Sequence, residues 1–295
     1  MKTIVIPFYE AETQTISYIA ADPDTGAAAI VDPVLDYNAR AGRTGTGFAD
    51  QIIARMRNDG LTLRWILETH AHADHLSAAP YLQEQLGGAI AIGKQIGHTQ
   101  TIFATVFDMG PGFRADGSQF DHLFDDNEIF RVGDIEAQAI HTPGHTPACM
   151  TYLIGDAAFI GDTLFMPDYG TARCDFPGGD AAALYRSIQK IYALPPDTRL
   201  FLCHDYQPGG RAPAWETSIA EQRVANIHIH DGVGEAEFVA MRNERDKTLP
   251  PPLLILPSIQ VNIRAGRLPE PHANGVRYLS IPINQLPIRR KPLGD

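Results

Sequence analysis

Apolar residues recur along the chain in short runs broken by Gly, Pro and Asp, a rhythm that predicts many short strands with helices set between them. Strands are expected over residues 3–8, 15–21 and 27–32, with Asp22-Pro23-Asp24-Thr25-Gly26 as the turn between the last two. The polar, Gly-containing stretch 37–47 reads as a loop, and the helix that follows at 49–58 stops at Gly60. Next come a strand at 63–68, a helix at 77–86 ending on Gly87-Gly88, a strand at 89–92 and a helical period over 98–109. Residues 110–121 are irregular and polar, a loop over the body of the protein. From 128 to 164 the pattern is nearly all β, with strands at 128–131, 134–141, 149–154 and 157–161. A helix at 180–194, a strand at 199–203 and helical segments at 214–226 and 235–246 complete the regular elements. Leu249-Pro250-Pro251-Pro252 then breaks the pattern, and an extended stretch follows to about residue 283. No repeat of fixed period is present. Strands with helices inserted in both halves imply two mixed sheets packed face to face with helices outside, an α/β four-layer αββα sandwich. The expected unit is one domain over 1–295, with a helical and extended C-terminal extension from about residue 226.

Composition narrows the function classes. The 295 residues are 44% hydrophobic, enough for a substantial core, and carry a formal net charge of −11. So acidic a chain is a poor candidate for nucleic acid, which is held by neutralising phosphates. No apolar run approaches the roughly 20 residues of a membrane helix. The N-terminus enters a strand pattern directly and lacks the long apolar core of a signal peptide. Three cysteines, Cys149, Cys174 and Cys203, make no even disulfide framework, which fits a reducing compartment. The expectation is a cytoplasmic enzyme.

Candidate chemistry concentrates in Thr69-His70-Ala71-His72-Ala73-Asp74-His75, between an expected strand and helix. Neutral imidazoles and carboxylates are the usual ligands of zinc and non-haem iron. Three further signals follow in order: Pro143-Gly144-His145, Gly161-Asp162 and Cys203-His204-Asp205, each after an expected strand. Singly they are weak. Together, on one edge of a sandwich, they offer the convergence a metal needs. His98, His122, His228, His230 and His272 lie outside this set and read as surface or hydrogen-bonded side chains, while His141, on a strand end before the Pro-Gly-His turn, is a candidate to support a ligand from behind. Cys149 and Cys203 read as small buried residues.

The order and spacing of His70, His72, Asp74, His75, His145, Asp162 and His204 resemble the metallo-β-lactamase superfamily over most of residues 1–205. That resemblance implies the αββα fold and a metal site, without naming a reaction. If all seven positions bind metal, the site is dinuclear, two Zn ions holding a hydroxide for a glyoxalase II-like thioester hydrolysis. If His70, His145 and Asp162 alone bind metal, two histidines and a carboxylate form the facial triad of Fe(II) oxygenases, with open positions for O2 and substrate. The ligand residues do not choose between these.

Other segments do. Ala172-Arg173-Cys174-Asp175-Phe176, Asp32-Pro33-Val34-Leu35, Pro143-Gly144-His145-Thr146-Pro147, His204-Asp205-Tyr206 and the tail segment Val261-Asn262-Ile263-Arg264-Ala265-Gly266 resemble the persulfide dioxygenase branch, that of the ethylmalonic encephalopathy protein family. The resemblance covers about residues 1–267 and implies one Fe(II) per chain on His70, His145 and Asp162. The substrates it implies are glutathione persulfide and O2, and the products sulfite and glutathione. His72, Asp74, His75 and His204 would then orient ligands and water, Tyr206 and Arg223 would contact the tripeptide, and Arg173 with Asp175 would form an ion pair beneath the site. Asp205 would fix nearby backbone. Members of the branch often form dimers, so a homodimer is a candidate state. Ala172 and Cys174 depart from the branch's usual Gly and Thr, and the stretches at 37–47 and 110–121 look longer than in its compact members. Those departures resemble the bacterial β-lactamase hydrolase-like subgroup and bear on pocket shape. They leave Cys174 either a packing residue or a thiol near the metal. A non-catalytic module of the same fold is disfavoured, because no ligand position is lost.

Overall fold

The computed structural model describes residues 2–286, so the two ends of the expected 1–295 unit lie outside the described residues. One six-stranded sheet is built from β1 (Ile4–Glu10), β2 (Thr15–Ala21), β3 (Ala27–Val31), β6 (Thr62–Leu67), β8 (Ala89–Gly93) and β9 (His122–Phe124), in that spatial order. Between β3 and β6 the chain makes a hairpin, β4 (Val34–Asn38) and β5 (Arg43–Gly45), and β4 pairs on its other side with the two-residue β7 (Leu76–Ser77). The second six-stranded sheet runs β10 (Glu128–Val132), β11 (Ile135–His141), β12 (Met150–Ile154), β13 (Ala157–Phe159), β14 (Arg199–Phe201) and β15 (Glu216–Ser218).

The sheets pack face to face because successive residues of a strand point to opposite faces. In β2, Tyr18 enters the core between the sheets, against Phe159 and Phe201, while its neighbour Ile19 points outward to the helices. Both are buried, so this strand reads as a continuous apolar run rather than an alternation. Helices α1 (Gly47–Asn58), α2 (Ala79–Leu86), α3 (Ile96–Val106) and α7 (Ile255–Asn262) cover the outer face of the first sheet through Ile52, Met56, Leu82, Phe103 and Ile259. Helices α4 (Ala181–Tyr192), α5 (Ile219–Ala225) and α6 (Glu235–Asp246) cover the second through Leu184, Ile188, Ile219 and Phe238. The four-layer αββα sandwich expected from the pattern is the architecture found.

Several local expectations are corrected. The stretch 37–47 is mostly a hairpin rather than a loop, because β4 finds a partner in β7. The helix expected over 77–86 starts only at Ala79, since Ser77 is spent on that pairing. The segment 214–226 is a strand followed by a helix: Ser218 caps α5 by accepting the Glu221 N–H at 3.1 Å, so the residues before it are free to pair with β14. The extended tail holds a helix, α7, whose Pro257 sits in the first turn, where no intrahelical donor is needed. The strand His122–Phe124 was not foreseen.

One buried histidine anchors the segment that leads from the second sheet to the cleft described below. His228 Nδ1 accepts the Thr171 N–H at 3.0 Å and packs on Gly170, where a Cβ would sit 2.1 Å from that nitrogen. Burial, with Arg242 and Arg245 nearby, pushes its pKa down to about 4. The unfolded chain therefore takes up a proton between about pH 6.5 and 4 that the folded state refuses, so stability falls as pH drops through that window. The expected loss is about 2 kcal/mol after discounting for solvent screening. Denaturant melts at pH 7 and pH 4.5 should show a smaller difference for His228→Asn than for the wild type; equal differences would contradict this.

Candidate metal centre

Four strand ends meet at one edge of the sandwich. The His-rich loop follows β6, His145 follows β11, Asp162 follows β13 and His204 follows β14. Strands β13 and β14 are parallel, and β11 shares their direction through the antiparallel β12, so all three place their carboxyl ends together. The two sheets are stitched here by backbone, with Met150 N–H donating to Thr69 O at 2.8 Å and Ile16 N–H donating to Cys203 O at 2.7 Å. Two glycines make the turns tight enough. A Cβ at Gly144 (φ +147°) would lie 2.4 Å from the Leu184 backbone, and one at Gly161 (φ +51°) would lie 2.6 Å from Thr69 Oγ1.

His70, His145 and Asp162 bring one ligand atom each to within 4.8 Å of the others, and His72, Asp74 and His75 form a second such group. Asp162 reaches both halves, its Oδ2 3.6 Å from His145 Nε2 and its Oδ1 3.6 Å from His204 Nε2. His204 Nε2 also lies 3.1 Å from Asp74 Oδ2. All these residues are buried except Asp74, which is partly exposed.

The imidazoles are keyed from behind. His145 Nδ1 donates to Arg173 O at 2.8 Å, His75 Nδ1 to Leu76 O at 3.1 Å and His204 Nδ1 to Gln14 O at 3.2 Å. Thr69 Oγ1 donates to Asp32 Oδ2 at 2.8 Å, so it accepts from His70 Nδ1 at 3.0 Å. Each of these four rings thus keeps its proton on Nδ1 and presents a lone pair on Nε2. His70 Nε2, His75 Nε2, His204 Nε2 and Asp162 Oδ1 are buried with no hydrogen-bond partner. Burial, reinforced by the neighbouring imidazoles, drives His70 well below the usual histidine range and His75 to about 4, so both are neutral donors at ordinary pH. A buried cluster of uncharged nitrogens and carboxylate oxygens without partners is what a cation would satisfy, and these residues fit a metal.

His72 is oriented the other way. Its Nε2 meets Asp32 Oδ1 at 2.9 Å and lies 3.5 Å from Glu68 Oε2, leaving Nδ1 without a partner. Burial opposes a charge here, yet Asp32, Glu68 and Asp74 push the pKa up to about 9. Burial pushes Glu68 up as well, and its other oxygen accepts from Ser77 Oγ. Asp32 therefore touches His72 directly and His70 through Thr69. The sequence reading gave it no such role, although its place at the end of β3, before a proline and beside the parallel β6, was a usable signal. Asn262 was missed too. From the end of α7 its Nδ2 donates to His72 O at 2.8 Å and His75 O at 2.7 Å, and its Oδ1 accepts from Ser77 N–H at 2.9 Å.

A cleft of about 1440 Å³ opens over the site, and Asp74, His75, His145, Asp162, Tyr169, Arg173, Phe176 and Tyr206 all line it. Tyr206 stacks on His204 with ring centroids 5.6 Å apart. Arg173 pairs with Asp175 at 2.6 Å and 2.8 Å and donates to Pro250 O at 2.5 Å, so the expected ion pair is present and steadies the carbonyl that holds His145. Asp205 is buried and accepts from Arg211 at 2.6 Å and 2.7 Å and from Ala214 N–H. His141 Nε2 donates to Pro147 O at 2.8 Å, across the Pro-Gly-His turn, rather than to a ligand residue. Arg223 is a correction: it lies on the outer helix α5, paired to Asp231 at 2.9 Å, and does not line the cleft. Cys174 does not line it either; it packs in the outer core of the second sheet, and burial raises its thiol pKa far above the usual range.

A sandwich with a histidine and aspartate cluster at one sheet edge defines a metal-dependent class of protein. The Metallo-beta-lactamase superfamily model matches residues 12–204, and the chain belongs to that superfamily. It is 56% identical to a probable metallo-hydrolase of Burkholderia pseudomallei over 95% of this chain and 98% of that protein. It is 50% identical to glyoxylase B2 of Dictyostelium discoideum, over 95% and 96%. Human mitochondrial persulfide dioxygenase ETHE1 is 29% identical over 88% of this chain and 87% of its own. A beta-lactamase hydrolase-like protein of Xylella fastidiosa matches at 52% over 95% of this chain, which spans 64% of that protein's length. Among solved structures, ETHE1 from Myxococcus xanthus superposes with a TM-score of 0.71 at 28% identity, covering 90% of this chain and 100% of that one. No helix among the described residues is long and apolar enough to cross a membrane.

Because Asn262 holds the metal loop by three buried hydrogen bonds, Asn262→Ala should cost about 2–4 kcal/mol in denaturant melts. It should also weaken metal retention about tenfold or more in chelator competition. Unchanged metal retention in a folded variant would show that the loop needs no such tie.

Proposed function

We propose that this chain is a persulfide dioxygenase holding one Fe(II) on His70, His145 and Asp162 and oxidising glutathione persulfide. One O2 and one water are consumed, all three oxygens end in sulfite, and glutathione is released. The observation that carries this reading is the convergence of these three residues beside a cleft of about 1440 Å³, with both histidines held from behind and His70 Nε2 and Asp162 Oδ1 unpartnered. End-to-end similarity to ETHE1 proteins supports it. Iron held by His70, His145 and Asp162 would supply the O2 chemistry.

The chain's own residues do the rest. The Arg173 carbonyl fixes the tautomer of the His145 imidazole and aims it, Thr69 does the same for His70, and burial keeps both rings neutral. Phe176 meets the His145 ring edge-on at 5.0 Å, and with Tyr206, Tyr169 and Phe165 it lines an aromatic approach that limits water around a reactive sulfur. Burial keeps the Tyr206 phenol protonated, so it offers an O–H to an anionic sulfur or carboxylate.

A second reading rests on a specific observation. His75 and His204 are keyed in the same way as His70 and His145, and Asp74 lies between them, so a second ion has donors waiting. Two Zn ions there would make a thioester hydrolase, in line with the similarity to glyoxylase B2.

Metal analysis with O2 uptake separates the two. Purified protein should carry about one iron per chain and consume O2 with glutathione persulfide, forming sulfite. Two zincs per chain, hydrolysis of S-lactoylglutathione and no O2 uptake would overturn the reading. His75→Gln sharpens the test, because it leaves the buried Asp32–His72–Glu68 set intact where His72→Ala would strand two carboxylates. The iron reading expects His75→Gln to keep its metal; loss of one ion of two favours the zinc reading.

A further inference from the structure

Three arginines on the cleft are used neither by the metal arrangement nor, among the described residues, by an ion pair. Arg40 and Arg43 belong to the β4–β5 hairpin and Arg245 to the last turn of α6, and all three line the cleft with Asp74, His75, His145 and Asp162. None of them takes part in an ion pair among the described residues, whereas Arg173 and Arg242, which also line the cleft, are each matched to a carboxylate. With a net charge of −11 the chain has carboxylates in excess, so partners were available. Unpaired guanidinium groups gathered on one cleft point to an anion brought from outside. Arg245 is further placed by the Tyr169 ring, whose centroid lies 6.0 Å from its guanidinium carbon.

The hairpin fixes the scale. Strand β4 pairs with β7 at Leu35–Leu76, one residue from His75, so the hairpin starts at the metal loop and leads away from it. Arg43 lies opposite Asn38, three residues beyond that pairing, or about 10 Å along the strand. A three-residue peptide spans at most about 11 Å. Arg43 thus stands about a tripeptide's length along the strand from the metal loop, and Arg40 farther out at the turn.

We propose that Arg40, Arg43 and Arg245 recognise the carboxylates of the peptide that carries the sulfur, and so set the preference of this site for a glutathione-bound substrate over small uncharged ones. The inference rests on the reading that the substrate is a glutathione derivative, and it adds the residues that select it.

Glutathione binding to the metal-loaded protein, followed by calorimetry, tests this independently of turnover. Arg40→Ala/Arg43→Ala and Arg245→Ala should each raise the dissociation constant of glutathione about tenfold or more, and binding should lose its sensitivity to salt in the double variant. Lysine at positions 40 and 43 should restore part of the affinity. In turnover, KM for glutathione persulfide should rise while kcat stays within about twofold, and an uncharged alkyl persulfide should be oxidised as by the wild type. An unchanged glutathione dissociation constant in both variants overturns the inference whatever the reaction. Weakened glutathione binding without O2 uptake on any persulfide overturns the dioxygenase reading instead and leaves the arginine assignment standing. All three side chains are exposed, so thermal melts matching the wild type are expected and exclude misfolding as the cause.

Discussion

The buried carboxylate of Asp32 is the group on which the rest of the site depends. It accepts the Thr69 N–H and hydroxyl at 2.7 Å and 2.8 Å and the His72 Nε2 proton at 2.9 Å. Burial penalises its charge, but His72 and Thr69 hold its pKa below the usual carboxylate range. One side chain thereby sets the tautomer of His70 and the orientation of His72 in the heptad. It settles His70 through a hydroxyl that must accept because its own proton is already committed, and it settles His72 directly. Its left-handed backbone, at φ +47°, turns the chain from β3 toward the Pro33–Leu35 segment and the hairpin. Metal geometry and cleft wall thus share an origin in one residue at a strand end.

The topology supplies what no local motif could. His145, Asp162 and His204 reach one point because three strands of the second sheet run the same way, and the heptad reaches it because β6 ends at the facing edge. The C-terminal segment then closes the arrangement from outside. Asn262 satisfies two carbonyls of the heptad that a loop of this curvature would leave unpaired, and the alternative to that pairing is a buried polar group costing about 1–3 kcal/mol each.

Much of this was legible in the sequence, and the failures share a cause. The sandwich, the heptad and the three later signals follow from period, breakers and residue types, because those are local properties. The hairpin at 37–47 was read as a loop since its residues are polar and it is stabilised by β7, a two-residue partner on the far side of the heptad. Helix α7 was read as extended because the Leu249-Pro250-Pro251-Pro252 run breaks the pattern just before it, whereas the helix starts only three residues later and takes Pro257 in its first turn. Arg223 was assigned to substrate by resemblance, and its pairing with Asp231 on an outer helix is a contact that local sequence does not reveal. Asn262 carried no chemical signal in isolation, and Asp32 only that of its place at a strand end before a proline. What each does is decided by a partner dozens of residues away.

The unpartnered donors also tie stability to function. Three imidazole nitrogens and one carboxylate oxygen are held buried without hydrogen bonds, at about 1–3 kcal/mol apiece by ordinary measure. A fold that carries such a deficit tolerates it because the surrounding hydrogen bonds fix each ring from behind, and the deficit disappears when a cation is shared among the donors. The same bonds that make the metal-free site costly therefore make it preorganised. The free energy released on metal binding is free energy the αββα core has already spent in holding those side chains still.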